Sequence, residues 1–385
     1  MQRHTIGWKE LKAINGESAT KTVNTIAATS QPLADALTDF AFGEIFSRAE
    51  LARHERELST IGMLAVLGGA EPQLRVHLNA ALNVGVDPDE LIALAEHVTL
   101  YAGFPRALNL LEETKQVLTD RGLSLPFSTA RHFMGDHETL VTDTGGDLPV
   151  IVLVHALGLD RRMWRDVIPF LTKDYRVISY DLRGHGHAAS GSNLSSLSVF
   201  ADDFVALLNS LQLNKVHFVG LSFGGSIGQY VALQYPERLN SLTIIASTAW
   251  KNDAFESRAT SAETHGMASQ VIPSLTRWFS PAALADNGWE VRYARERIKR
   301  AFLLDWTASW RALAAIDTSE RLKDIQTLTH IIAGENDLST PPSLMEGFKV
   351  IANVTFDVIS EGTHMLSLEK PQALGLLLLQ RLIQA

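Results

Sequence analysis

The chain of 385 residues is longer than one hydrophobic core normally supports, so two domains are expected, and 46% hydrophobic residues suffice to fill both cores. It contains no cysteine, which excludes disulfides, thiolate metal ligands and any cysteine-based peroxidase or disulfide chemistry. A formal net charge of −9 with acids and bases interspersed argues against nucleic acid or an anionic membrane as partner, and leaves room for a small anionic substrate held by local arginines. The opening MQRHTIGWKELKAINGES has no apolar signal core, and no run of about 18 apolar residues follows, so neither export signal nor membrane span is expected and a cytoplasmic enzyme is the default.

From Pro32 to Arg121 the pattern is helical. ADALTDFAFGEIF, ERELSTIGMLAVLGG, PQLRVHLNAALNVG, DPDELIALAEHVTLYAG and PRALNLLEETKQVL repeat apolar residues every three or four positions, several opening on Pro or Asp and closing on Gly. After Gly122 the texture changes, and LSLPFSTARHFMGDHETLVTDTGGDLP reads as a linker running into an antiparallel hairpin. A boundary near 123–130 follows, with an all-helical domain over 1–123 and a second domain over 124–385. In the second, VIVLVHA, RVISYD, KVHFVG, SLTIIAS, THIIAG and TFDVIS alternate with helical segments, the pattern of a mostly parallel sheet covered by helices. Between SLTIIAS and THIIAG lie roughly eighty residues, too many for one crossover, predicted to form a helical lid at about 249–316.

VGLSFGGSIG, after the strand KVHF, sets Ser222 between two glycines as G-x-S-x-G. A strand that turns at once into a helix strains its central residue and lifts the hydroxyl clear of the sheet edge. A serine hydroxyl needs a histidine to take its proton and a carboxylate to fix that histidine. Asp337 in IIAGENDLSTPP and His364 in EGTHMLSLEKP supply both, each after a strand and in the order Ser, acid, His. Backbone N–H groups of Phe223 and of Leu157, in VHALGLD, are the expected oxyanion donors. His185 and His187 in RGHGH have the spacing of metal ligands, but without neighbouring carboxylates or thiolates they read as turn structure.

YDLRGHGHA, GLSFGG, GENDLSTPP and GTHMLSLEKP together resemble the α/β-hydrolase family over roughly residues 131–385. Within it, HALGLDRRMW, GMASQVIPSLTRWF and AAIDTSERLKDI look most like the 3-oxoadipate enol-lactonases, with His155-Ala156-Leu157-Gly158 where those usually read NSLG and Phe255 where their lid usually carries tryptophan. The resemblance implies a carboxylated lactone substrate, and Arg258, Arg277 and Trp278 in the lid become candidate binding residues, since guanidinium pairs with carboxylate bidentately.

FAFGEIFSRAEL, ERELSTIGMLAVLGG, QLRVHLNAALNVG and HVTLYAGFPRALNLLEE resemble the carboxymuconolactone decarboxylase family over residues 20–122. Peroxidase relatives of that fold use C-x-x-C-x-x-x-H; here Ala70 and Gln73 stand at the thiol positions and His77 remains, which leaves only the decarboxylase-like branch. The resemblance implies His77 as general acid with Glu57 orienting it, and Arg48, Arg56 and Arg75 as candidate holders of carboxylates. It also implies no cofactor and a homo-oligomer formed through the helical domain. Two readings stay open: a bifunctional enzyme decarboxylating 4-carboxymuconolactone and then hydrolysing the enol-lactone in protocatechuate degradation, or a serine esterase or lactonase on another carboxylated substrate whose helical domain serves only assembly.

Overall fold

The computed structural model describes residues 2–123, 127, 129–191 and 196–383; of the predicted boundary segment, residues 124–126 and 128 lie outside these. The chain divides into two compact units, Met1–Pro126 and Phe127–Ala385.

The first unit is helical. Gln2–Asn15, Ser18–Ala27 and Gln31–Asp35 lead into Ala36–Phe46, followed by Arg53–Leu67, Glu71–Asn83 and Pro88–Asp120. Helix therefore begins well before Pro32. Gln2–Asn15 buries only Gly7, Leu11, Ile14 and Asn15, a stripe too thin to stand out as a sequence pattern. Ala36–Phe46, predicted as an ordinary helix, winds as a π-helix. Pro88–Asp120 opens on a capping box, in which Asp87 Oδ1 accepts from the Asp89 N–H at 2.9 Å and Glu90 Oε2 from the Asp87 N–H at 2.8 Å. It breaks at Gly103 (φ 77°, ψ 169°), so the two predicted helices on either side are separate in conformation. Two apolar clusters hold the unit, one around Ile61, Leu78, Leu91 and Leu110, the other around Leu11, Ile14 and Phe42.

In the second unit, eight strands among the described residues form one sheet: β1 (Thr129–Phe133), β2 (Glu138–Asp143), β3 (Val150–Val154), β4 (Arg176–Tyr180), β5 (Val216–Leu221), β6 (Leu239–Ile245), β7 (Thr329–Gly334) and β8 (Val354–Ile359). Their order is β1-β2-β4-β3-β5-β6-β7-β8. The hairpin β1–β2 is antiparallel and meets β4 antiparallel; from β4 to β8 every pairing is parallel. β3, β5 and β7 are buried along their whole length, as strands covered by helices on both faces must be. Because these strands run the same way, the loops after β3, β5, β7 and β8 gather at one edge of the sheet. The lid leaves after β6 and returns before β7 as helices Asp253–His265, Val271–Trp278, Pro281–Asp286, Trp289–Arg300 and Leu303–Ala314.

Candidate active sites

In the second unit the turn from β5 into helix Phe223–Gln234 puts Ser222 at φ 54°, ψ −112°, a conformation that non-glycine residues rarely adopt. The bend is tight. A Cβ on Gly224 would lie 2.3 Å from the carbonyl oxygen of Val154, so only glycine lets the new helix pass this close to β3. Phe223 is the first residue of its helix, and its N–H therefore has no acceptor within the helix. Leu157, after β3, lines the same pocket as Ser222.

His364 Nε2 lies 2.9 Å from Ser222 Oγ, and its Nδ1 lies 2.8 Å from Asp337 Oδ2. Asp337 also accepts from the backbone N–H groups of Ser339 (2.7 Å) and Thr340 (3.0 Å) and from the Thr340 hydroxyl (2.7 Å). Burial would raise the pKa of this carboxyl; the charge and hydrogen bond of His364 and the two bonds from Thr340 outweigh it and hold Asp337 below the usual carboxylate range. An ionised acid thus faces the imidazole that faces the serine.

The pocket over Ser222 encloses about 510 Å³ of non-atom space, part of it open to solvent. Its lid side is Phe255, Arg258, Trp278, Trp310 and Leu313; its floor includes Ser226, Ser247 and Thr248. Arg258 lies over the rings of Trp310 (4.7 Å) and Phe255 (5.4 Å), and its pKa is lowered by burial. Arg277 donates to Ser274 Oγ at 3.3 Å, while its Nε is buried without a partner. Burial and the nearby charge of Arg258 pull its pKa down to about 10. Among the described residues, neither arginine has a carboxylate partner.

Residues that the motifs did not single out complete the site. The Ser247 hydroxyl donates to the carbonyl of Ser222 at 2.6 Å and lies 3.0 Å from the Ser226 hydroxyl, bracing the bend from β6. Thr340 could have been foreseen from DLST, where a hydroxyl three residues after an acid commonly bonds back to it; Ser247 carries no such local signal. The two turn histidines diverge. His185 is buried, its Nδ1 3.0 Å from the carbonyl of Arg183 and its pKa lowered to about 3 by burial and the neighbouring His155, whereas His187 is more exposed and lies 3.6 Å from Asp181. His155 accepts from the Leu182 N–H at Nε2 (2.8 Å) and donates from Nδ1 to the carbonyl of Ala156 (2.8 Å), a neutral ring locked into the start of the Leu157 loop.

In the first unit, Glu57 on Arg53–Leu67 and His77 on Glu71–Asn83 meet, with Nδ1 to Oε2 at 2.8 Å. Glu57 is fully buried and its Oε1 has no partner, while His77 is partly exposed. The three arginines are differently engaged. Arg75 forms a two-pronged pair with Glu113, and Arg56 donates to the carbonyls of Leu51 (3.2 Å) and Arg48 (2.9 Å). Arg48 is exposed, its guanidinium without a hydrogen-bond partner among the described residues.

Known proteins match the two units separately. The alpha/beta hydrolase fold family matches residues 149–371, and the carboxymuconolactone decarboxylase family matches 31–116. A 3-oxoadipate enol-lactonase of Acinetobacter baylyi is 31% identical over 229 residues, 58% of this chain and 85% of that protein. The 4-carboxymuconolactone decarboxylase of the same organism is 36% identical over 124 residues, 32% of this chain and 92% of that protein. Among solved structures, a thermophilic esterase from Thermogutta terrifontis with malate bound aligns with a TM-score of 0.62 at 26% identity, covering 67% of this chain and 98% of that one. An enol-lactonase from Burkholderia xenovorans aligns with a TM-score of 0.64 at 24% identity, covering 66% and 100%, and so shares the fold. The chain thus belongs to the α/β-hydrolase family through its second unit, and the unit that precedes it belongs to the carboxymuconolactone decarboxylase family.

Proposed function

We infer that the chain is a bifunctional enzyme of aromatic-acid breakdown, releasing CO₂ from 4-carboxymuconolactone in the helical unit and hydrolysing the resulting 3-oxoadipate enol-lactone in the other. The relatives' named activities are consecutive in that chemistry, and both families occur in one chain. The observation that carries the hydrolase reading is the line Asp337, His364, Ser222 opening into a pocket lined by Arg258, with Arg277 near it and neither arginine bound to a carboxylate among the described residues.

In this reading His364 takes the Ser222 proton as Oγ attacks the lactone carbonyl, and the N–H groups of Leu157 and Phe223 receive the developing oxyanion. Collapse of the tetrahedral intermediate breaks the ring C–O bond, and His364 returns the proton to the leaving enol oxygen. Water, deprotonated by His364, then releases the acid from Ser222. Arg258 and Arg277 hold the substrate carboxylate against Trp278. In the helical unit the electron pair of the broken C–CO₂ bond enters the conjugated lactone, and His77, oriented by Glu57, protonates the ring carbon. Arg48 is free to take a substrate carboxylate, whereas Arg56 and Arg75 would first exchange the partners they have. Exposed Met63, Val66, Leu67 and Tyr101 line one apolar groove suited to a second copy of the chain, giving a homo-oligomer. A sedimentation mass of one chain at micromolar concentration would exclude that.

The test separates CO₂ release from ring opening. With 4-carboxymuconolactone as substrate, Ser222→Ala is expected to release CO₂ and accumulate the enol-lactone. His77→Asn is expected to release none, yet to open preformed enol-lactone at the parental rate. Hydrolysis by Ser222→Ala within tenfold of the parent would overturn the triad, whose loss costs about 10⁴-fold or more elsewhere. Parental CO₂ release by His77→Asn would reduce the helical unit to assembly.

A further inference from the structure

The loop after β3 carries Leu157, and the lid holds this loop from above. Asp160, three residues on, is fully buried. Its backbone N–H donates to the Tyr293 hydroxyl at 3.0 Å, and that hydroxyl donates to Asp160 Oδ1 at 2.8 Å, with the Asp160 carbonyl at 3.1 Å. One turn further along helix Trp289–Arg300, Arg297 Nε lies 3.0 Å from Asp160 Oδ2. From the loop's own side Arg162 donates to both carboxylate oxygens, at 3.1 and 2.8 Å. The next lid helix seats on the same loop: a Cβ on Gly158 would lie 2.4 Å from the Trp306 ring.

This arrangement has an electrostatic side. A bare carboxylate this near Leu157 would oppose negative charge forming on the substrate oxygen, and two guanidiniums neutralise it where it stands. Tyr293 adds direction. It is the one group among the described residues that binds both the backbone and the side chain of Asp160 from the lid, and so fixes where the loop's N–H groups point.

We propose that Tyr293 is a positioning residue for the oxyanion hole, with Arg297 in support, so that the lid sets the rate of the chemical step as well as the shape of the pocket. The proposal rests on the assignment of Leu157 as an oxyanion donor. A donor misaimed by a fraction of an ångström still lets substrate bind but stabilises the transition state less.

The experiment is Tyr293→Phe in the full chain. The ring, packed on Trp289 (5.6 Å) and under Arg162 (5.3 Å), is retained, so only the hydroxyl is lost. kcat is expected to fall on the order of tenfold on both a carboxylated lactone and a neutral ester, with KM within about twofold. Affinity for phenylboronic acid, whose adduct with Ser222 presents a tetrahedral oxyanion, should fall by the same factor. Arg297→Lys gives a second route, with a loss of about threefold in kcat. A changed KM with unchanged boronate affinity, or parental kcat in both variants, would overturn the proposal. If Ser222→Ala abolishes hydrolysis while both lid variants behave as the parent, the clamp fails and the triad stands. If Ser222→Ala hydrolyses normally, the triad falls and the clamp with it.

Discussion

Arg258 lines the pocket and Arg277 lies near enough to feel its charge; burial makes each easier to deprotonate than a surface arginine, and for Arg277 the charge of Arg258 adds to the effect. A carboxylate arriving between them relieves both costs, which a neutral ester cannot do. Replacing either by Met is therefore expected to lower kcat/KM on a carboxylated lactone by about 2–5 kcal/mol in transition-state terms, and to leave a neutral ester of similar size nearly unaffected. Lys keeps the charge but loses the planar fork, and should fall between. Equal losses on both substrates, measured side by side, would reduce these arginines to lid packing. The alignment of Ser222, Asp337 and His364 was legible because each rides on a local motif after an apolar strand. Their company was not. Ser247 reaches Ser222 across 25 positions and Tyr293 reaches Asp160 across 133, and no periodicity encodes such pairings.

At the level of elements, the buried strands were the clearest signal, since β3 reads VIVLV, apolar throughout, and β7 reads THIIAG, apolar after its first two residues, both bounded by turn residues. The break in Pro88–Asp120 was legible for the same kind of reason, a glycine followed two residues later by proline. Two features hid. Ala36–Phe46 has the composition of an α-helix, and its i→i+5 winding, in an element that packs on Gln2–Asn15, leaves no mark on that composition. Gln2–Asn15 itself has Trp8 and Ile6 on partly or fully exposed positions, which blurs its stripe. The lid was legible as an insertion by its length alone, while the role of its helix Trp289–Arg300 appears only once Asp160 is found beneath it.

Over the whole molecule, buried neutral histidines concentrate in the hydrolase unit. Burial lowers the pKa of His155, His217, His185 and His330, the last two to about 3 and about 4. Unfolded, each would titrate near 6.5, so between that value and its folded value the unfolded chain binds a proton that the native state refuses. Stability therefore falls as pH drops below about 6.5, by up to about 1.4 kcal/mol per pH unit for each such histidine. Asp337, lowered in the native state, acts in the same direction at still lower pH. Calorimetry at pH 7, 6 and 5 should show the hydrolase unit's transition moving steadily down; a transition that holds or rises would contradict the burial of these rings. The path of the chain carries a different consequence. Ser222, Asp337 and His364 follow β5, β7 and β8, whereas the lid enters after β6, the one strand from β5 to β8 that none of the three follows. On the proposed function, recognition can accordingly be rewritten by exchanging a single continuous cassette, with Ser222, Asp337 and His364 left in place. A transplanted cassette that brings its own arginines but no hydroxyl opposite Asp160 would alter preference and turnover together, so diversification by lid exchange is selective about its donors.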